Sequence, residues 1–250
     1  MAVRSLTKTQ RRLIRDLVDL YKDNQDTPRN FLDILRAHIT SDKALKEHIH
    51  SVKSRTKDPE SLRDKLERKM REAVASHKKF GINEANLFTR INDLAGLRIL
   101  HLHSKQLEQI HNALLALFER ERYVLREKPF ARTWDDESRG YFKQIGISTR
   151  KSPSLYTSVH YVINSNSRVK ATCEIQVRTL MEEVWGEVNH KINYPNPVKS
   201  VACEEQIKAL ARVTSSATRL VDSVFRSYDD HVRMGTAKAE QRRRRASKVV

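Results

Sequence analysis

Apolar residues recur at helical spacing near the start of the chain: Leu13, Ile14, Leu17, Leu20 and Tyr21 share one face, and Phe31, Ile34 and Leu35 begin another. That period predicts helices across residues 1–50. Residues 51–57 are polar and suit a loop or an extended strand. Asp58-Pro59 followed by Glu60 and Ser61 then opens a strongly charged helix reaching about Lys79, with Gly81 as its stop. LRILHLH at 97–103 predicts a strand, and residues 105–119 an amphipathic helix carrying Leu107, Ile110, Leu114 and Phe118.

Residues 157–163 and 169–178 predict two further strands, joined as a hairpin by the turn-rich Asn164-Ser165-Asn166-Ser167. In the second, Val169, Ala171, Cys173, Ile175 and Val177 fall on one face, while Lys170, Thr172, Glu174, Gln176 and Arg178 fall on the other. One face can pack and the other can bind. Residues 126–154 are polar and irregular, with Gly140 and Gly146 available for turns; a lid and a plain long connection both fit. Beyond Pro197, a helical stripe of Ile207, Leu210, Ala211, Ala217, Val221, Val224 and Phe225 needs a partner, either the same domain or a second subunit of a homo-oligomer. Past Arg233 almost nothing remains to bury, which predicts disorder. The segments therefore order as helical 1–50, mixed 51–197, helical 198–233 and a basic tail 234–250. The fold class predicted is α+β, a mixed β-sheet flanked by helices with helical N- and C-terminal segments.

The charge adds a class of partner. With 48 Lys and Arg against 31 Asp and Glu, the 250 residues carry a formal charge of +17, which points to nucleotides, RNA or acidic surfaces. Residues 242–245, all arginine, and Lys248 supply part of it, but the chain before them is also basic. Cys173 and Cys203, thirty positions apart, suggest neither a disulfide framework nor a zinc site. No apolar run suits a signal peptide or a membrane span, so a cytoplasmic protein with no membrane association is expected.

Four clusters carry candidate chemistry. Arg55 and Lys57 lie on one side of an extended segment, followed by Ser61 and Lys65 at i,i+4; three cations and a hydroxyl at a helix N-terminus suit a triphosphate. A solvated charged helix has the same composition. Asp93 just before a strand, with Arg98 early within it, suits Mg²⁺ and the phosphates it bridges, although an Asp there also serves as a turn residue. Tyr156, Ser158 and His160 share a strand face, where the tyrosine offers a stacking surface for a base or simply a half-buried core ring. Glu174, Gln176 and Arg178 form the fourth, extended by Trp185, Asn189, His190 and Tyr194; a same-face ion pair is the plainer reading of Glu174 and Arg178.

In this order the pieces SRTKDPESLRDK, INDLAGLRI, SLYTSVHYVI and EIQVRTLMEEVWGEVNHKINYP resemble the synthetase domain of the RelA/SpoT family, the (p)ppGpp synthetases, over about residues 51–195. The resemblance implies a nucleotidyltransferase-like fold and transfer of pyrophosphate from ATP to the 3′-hydroxyl of GTP or GDP, with Mg²⁺ as cofactor. By position it places Arg55, Lys57, Ser61, Lys65 and Arg98 on ATP, and gives the metal to Asp93 and Glu174. Glu174 becomes the general base and Tyr156 the stacking surface for guanine. His160, Gln176, Arg178 and His190 would line or support the acceptor side, and Arg150 or Lys151 would reach its phosphates.

The family's usual acceptor motif has glycine before the tyrosine and a long polar or basic residue after it; this chain has Leu155 and Thr157. Two alternatives therefore accompany the main reading: a toxin-type relative that pyrophosphorylates the 3′ end of tRNA, and a non-catalytic RNA- or ribosome-binding relative. The hydrolase half of long family members needs a His-Asp dyad, and no His is followed by Asp here. A stand-alone, synthesis-only enzyme is the expectation.

Overall fold

In a computed structural model, residues 5–152, 154–193 and 198–246 are described. The chain begins with α1 (Lys8–Asp23), α2 (Asp26–Ser41) and α3 (Lys43–Lys46), then β1 (Ser51–Thr56) and α4 (Pro59–Ala75). After α5 (Leu87–Arg90) come β2 (Ala95–His101), α6 (Gln106–Arg120), β3 (Val124–Leu125), β4 (Phe130–Thr133), α7 (Asp136–Gln144) and β5 (Ser148–Lys151). The strands β6 (Ser158–Asn164) and β7 (Thr172–Thr179) precede α8 (Leu180–Asn193) and α9 (Val201–Ala246). The strands form one sheet in the order β1-β2-β7-β6-β4-β5, with β3 on β6. It is mixed, because β2/β7 and β4/β5 run parallel and the other pairs antiparallel.

Period-two alternation gives the sheet one greasy face. Leu97, Ile99, Tyr161, Ile175 and Val177 pack there against Leu35 and Ile39 of α2 and Leu107, Ile110 and Leu114 of α6. A second cluster seats α4: Ile14, Leu17, Val18 and Tyr21 of α1 bury Leu62, Leu66 and Met70. The Asp58 carboxylate caps α4 by accepting from the Ser61 amide, and Pro59 fits the first turn because its missing N–H has no helical partner there.

Several expectations are corrected. The helix of α4 ends at Ala75, because His77 takes a left-handed φ of 52° and the chain leaves the axis before Gly81. Residues 126–154 are a β4–α7–β5 crossover; its few apolar residues, Phe130, Ala131, Phe142 and Ile147, are buried and sufficient to dock it. The stripe on α9 docks on the domain through Ile207, Ala211, Thr214 and Thr218, while Val224 of the expected stripe is exposed. The Thr214 and Thr218 hydroxyls donate to the Leu210 and Thr214 carbonyls, so these two polar residues pack with no unmet donor. The helix also continues past Arg233, where disorder was expected, to Ala246; extending a formed helix through Ala, Lys, Gln and Arg is far easier than nucleating one.

One contact ties the helical layer to the sheet edge: Tyr21 Oη donates to the Lys57 carbonyl at 2.6 Å. Tyr21→Phe should lower stability by about 1 kcal/mol, the net worth of one such bond, as read from the urea midpoint. An unchanged midpoint would show that the bond is matched by water in the variant.

Candidate active site

The pairing register decides which side chains meet on the face opposite the core. Lys53 lies beside Arg98 and Arg55 beside Gly96; Gly96 in turn lies beside Glu174, and Arg98 beside Gln176. His160 follows beside Gln176, then Phe130 beside His160. Glycine at 96 keeps the floor low, and a cavity of about 200 Å³ opens there, lined by Arg55, Asp93, Arg98, Glu174 and Gln176 among others.

Asp93 precedes β2 and lies between two lysines, with Lys57 Nζ at 3.0 Å and Lys65 Nζ at 2.7 Å. Burial pushes its carboxyl up, but the charges and hydrogen bonds of Lys65 and Lys57 outweigh that and hold it below the ordinary value. Lys57 and Lys65 of the cluster predicted from spacing thus meet at Asp93, Arg55 lines the same cavity, and Ser61 lies one turn before Lys65 on α4. Arg98 is engaged elsewhere, paired with Glu183 and Glu187 of α8.

Glu174 receives His160 Nδ1 at 3.0 Å on one oxygen and Gln176 Nε2 at 3.3 Å on the other. Burial raises its pKa, and the His160 hydrogen bond and attraction overcome this, leaving the group lowered and ionised at neutral pH. Its orientation is relayed across the sheet. His160 stacks on Phe130 with centroids 5.2 Å apart and planes 4° from parallel, and the Arg150 guanidinium covers the same Phe130 ring at 3.4 Å. Tyr156 Oη donates to Gln176 Oε1 at 3.0 Å, which brings the tyrosine to the Glu174 side of the cavity.

The surroundings of four further residues complete the picture. Lys151 alternates away onto the core face at the edge strand, and Arg150 is the cation on the Glu174 face. His190 feels the cations of β1 and β2: partial burial lowers its pKa first, and Arg55, Arg98 and Lys57 add to the shift while Glu187 opposes it. Arg178 is sealed inside by Glu183. Thr157 turns inward to hydrogen-bond Thr133 at 3.1 Å and offers nothing to a ligand. Tyr194 lies outside the described residues.

Sequence reasoning missed Glu183, a buried carboxylate that gathers Lys53 at 2.8 Å, Arg98 at 3.3 Å and Arg178. It also missed Lys53, although Lys53, Arg55 and Lys57 share the same strand parity and that signal was present. Among the described residues no group of three or more His, Cys, Asp or Glu stands together as a metal cage. Two carboxylates lining one cavity beside Arg55 and Arg98 do suit Mg²⁺, which takes one or two protein carboxylates and completes its shell with water and phosphate.

Comparison with known proteins agrees with this geometry. A family model described as the region found in RelA/SpoT proteins matches residues 54–199. The GTP pyrophosphokinase YwaC of Bacillus subtilis (strain 168) is 28% identical over 152 residues, which span 58% of this chain and 59% of that relative. Among solved structures, small alarmone synthetase 2 from Bacillus subtilis superposes with a TM-score of 0.58 at 22% identity, covering 83% of this chain and 98% of the other. Small alarmone synthetase 1 from the same organism, bound to its product pppGpp, gives a TM-score of 0.56 at 18% identity over 80% and 93%. With more than half its length matched by the family model, and with that fold, this chain belongs to the RelA/SpoT family.

Proposed function

We propose that the protein transfers pyrophosphate from ATP to the 3′-hydroxyl of GTP or GDP, forming (p)ppGpp and AMP. The observation that carries this reading is the meeting of Asp93 and Glu174 in one cavity, with Arg55 and Arg98 beside them and Tyr156 hydrogen-bonded to Gln176 of the lining. The GTP pyrophosphokinase relative and the pppGpp bound to a protein of the same fold support it.

Arg55, Lys57, Lys65 and Arg98, with the Ser61 hydroxyl, bind and neutralise the ATP phosphates. Lys57 and Lys65 exchange Asp93 for phosphate as they do so, and Arg98 is shared with Glu183 and Glu187. Asp93 and Glu174 would hold Mg²⁺, which when bound spreads the charge that builds up on the phosphates. Glu174, held ionised by His160, accepts the proton of the 3′-hydroxyl, whose oxygen attacks the β-phosphorus in line as AMP departs. Tyr156 stacks on the acceptor base, and Arg132 and Arg150, on the Glu174 face, take the acceptor phosphates.

One observation keeps tRNA as an acceptor to be tried. Thr157 is buried and leaves no cation directly after Tyr156, which lessens the demand for 5′-polyphosphate on the substrate. Synthesis without hydrolysis fits the absence of a His-Asp dyad in the sequence.

Purified protein given ATP, Mg²⁺ and, in separate tubes, GDP, GTP or tRNA should yield AMP and a 3′-pyrophosphorylated guanine nucleotide on chromatography. Label entering only tRNA would move the assignment to the toxin-type reaction, and no product with any acceptor would refute transfer altogether. Glu174→Gln should cut turnover by about 10²–10⁴-fold, the usual worth of a general base, while ATP still binds; a near-normal rate would remove Glu174 from that role.

Asp93 also sets an acid limit. Because its folded pKa lies below the unfolded value, its pairing stabilises the fold above about pH 4 and is lost as pH falls through the lowered value. Asp93→Asn leaves Lys57 and Lys65 without their shared anion, so the variant should be the less stable at pH 7, with the gap closing in acid. Urea titrations from neutral pH downward read this directly, and a gap independent of pH would contradict the pairing.

A further inference from the structure

Resting on the transfer reaction above, we propose that Arg178 is a positioning residue for acceptor recognition: it meets no nucleotide but fixes the plane of the Tyr156 ring on which the base stacks. The Arg178 side chain is only 2% exposed, too enclosed to take a phosphate. Its guanidinium carbon lies 5.5 Å from the centroid of the Tyr156 ring, and its Nη2 is paired with the buried carboxylate of Glu183.

Tyr156 needs such support because the local chain does not supply it. The residue precedes β6, outside the ladder, and follows Leu155, whose φ of 58° is left-handed. Its orientation comes instead from tertiary neighbours: Gln176 at the hydroxyl, Trp185 with centroids 6.2 Å away, His160 at 5.9 Å, and the Arg178 guanidinium. Gly186 of α8 is shaped around the last of these. A Cβ there would stand 2.6 Å from Arg178 Nη1 and 3.1 Å from its Cζ, so no other residue leaves the guanidinium in place. Glu183 is steadied in turn by Lys53 and Arg98, which makes the anchor of Tyr156 a rigid point shared with the donor side.

A buried ion pair is weak evidence for stability, since desolvation offsets much of the attraction, and its constraint on geometry is the better account of its presence. Removing one partner alone would strand a buried charge, so the informative variants are Gly186→Ala, which displaces the guanidinium, and the double Arg178→Met/Glu183→Gln, which removes both charges together.

Calorimetry with GDP as the acceptor probe, ATP binding in parallel and an unfolding midpoint for each protein form the test. Both variants should bind GDP about tenfold more weakly, a part of the energy of one stacked base, while ATP affinity stays within about twofold for Gly186→Ala, which leaves Glu183 on Arg98. Arg178→Lys, a cation without the planar fork, should not restore binding. Unchanged GDP affinity in a folded variant, or an equal loss for ATP and GDP in Gly186→Ala, overturns the inference. Wild-type protein that binds GDP yet forms no product would sink the reaction and leave this role standing; wild-type protein that binds no GDP would sink both.

Discussion

Burial of one face of three adjacent strands is the constraint from which the site follows. Leu97 and Ile99 on β2, Ile175 and Val177 on β7, and Val159 and Tyr161 on β6 are at most 1% exposed, and their shared core fixes the register of all three strands. A slip of one residue would turn every one of these side chains outward and carry Glu174, Gln176 and His160 into the core. The buried apolar residues therefore hold Glu174, its partner His160 and the cavity floor in register. The helices α2 and α6 contribute by covering that face, and α1 contributes by seating α4 with its capped N-terminus.

On the open face, charge is arranged in closed sets. Asp93 is met by Lys57 and Lys65, Glu183 by Lys53, Arg98 and Arg178, and Glu174 by His160 and Gln176. Such sets keep cations in place when no phosphate is present, at the cost that a nucleotide must compete with a carboxylate for each one. The competition is unequal. Lys57, Lys65 and Asp93 keep between 11% and 21% of their side-chain surface in solvent, so a partner exchange there moves few groups, whereas Arg178 and Glu183 at 2% and 6% have no comparable freedom. Exposure thus separates the groups free to change partner from those fixed in place.

How much of this was legible in the sequence depended on the range of the signal. Alternation over residues 169–178 was local, and it placed Glu174 and Gln176 on the correct face; the Arg55 to Lys65 spacing likewise assembled as expected. Arg178 obeyed the same alternation yet is buried, because what decides its surroundings is α8, folded back over the strand's end with Glu183 and Gly186. The crossover of residues 126–154 was missed for a related reason. Ala131, Phe142 and Ile147 are too widely spaced to show a period, and only the core they join reveals them as anchors. Within α9 the apolar count misled, since Thr214 and Thr218, with self-satisfied hydroxyls, are buried while Val224 of the expected stripe is exposed.

The loop before Tyr156 carries its strain at a residue with a side chain. Leu155 takes a left-handed φ of 58°, the region that glycine enters without penalty. The strain for a non-glycine residue there is of order 1–3 kcal/mol and needs compensation. Leu155 finds it by packing with Trp185 and Ile207, the contacts through which α9 closes over α8. The C-terminal helix is therefore part of what holds the Tyr156 loop in its glycine-like course. Thr157 next to it is tied down as well, by a buried hydrogen bond to Thr133. The path of the chain into β6 is thus set by packing from α8 and α9 and by the bond to β4, and not by the loop's own residues.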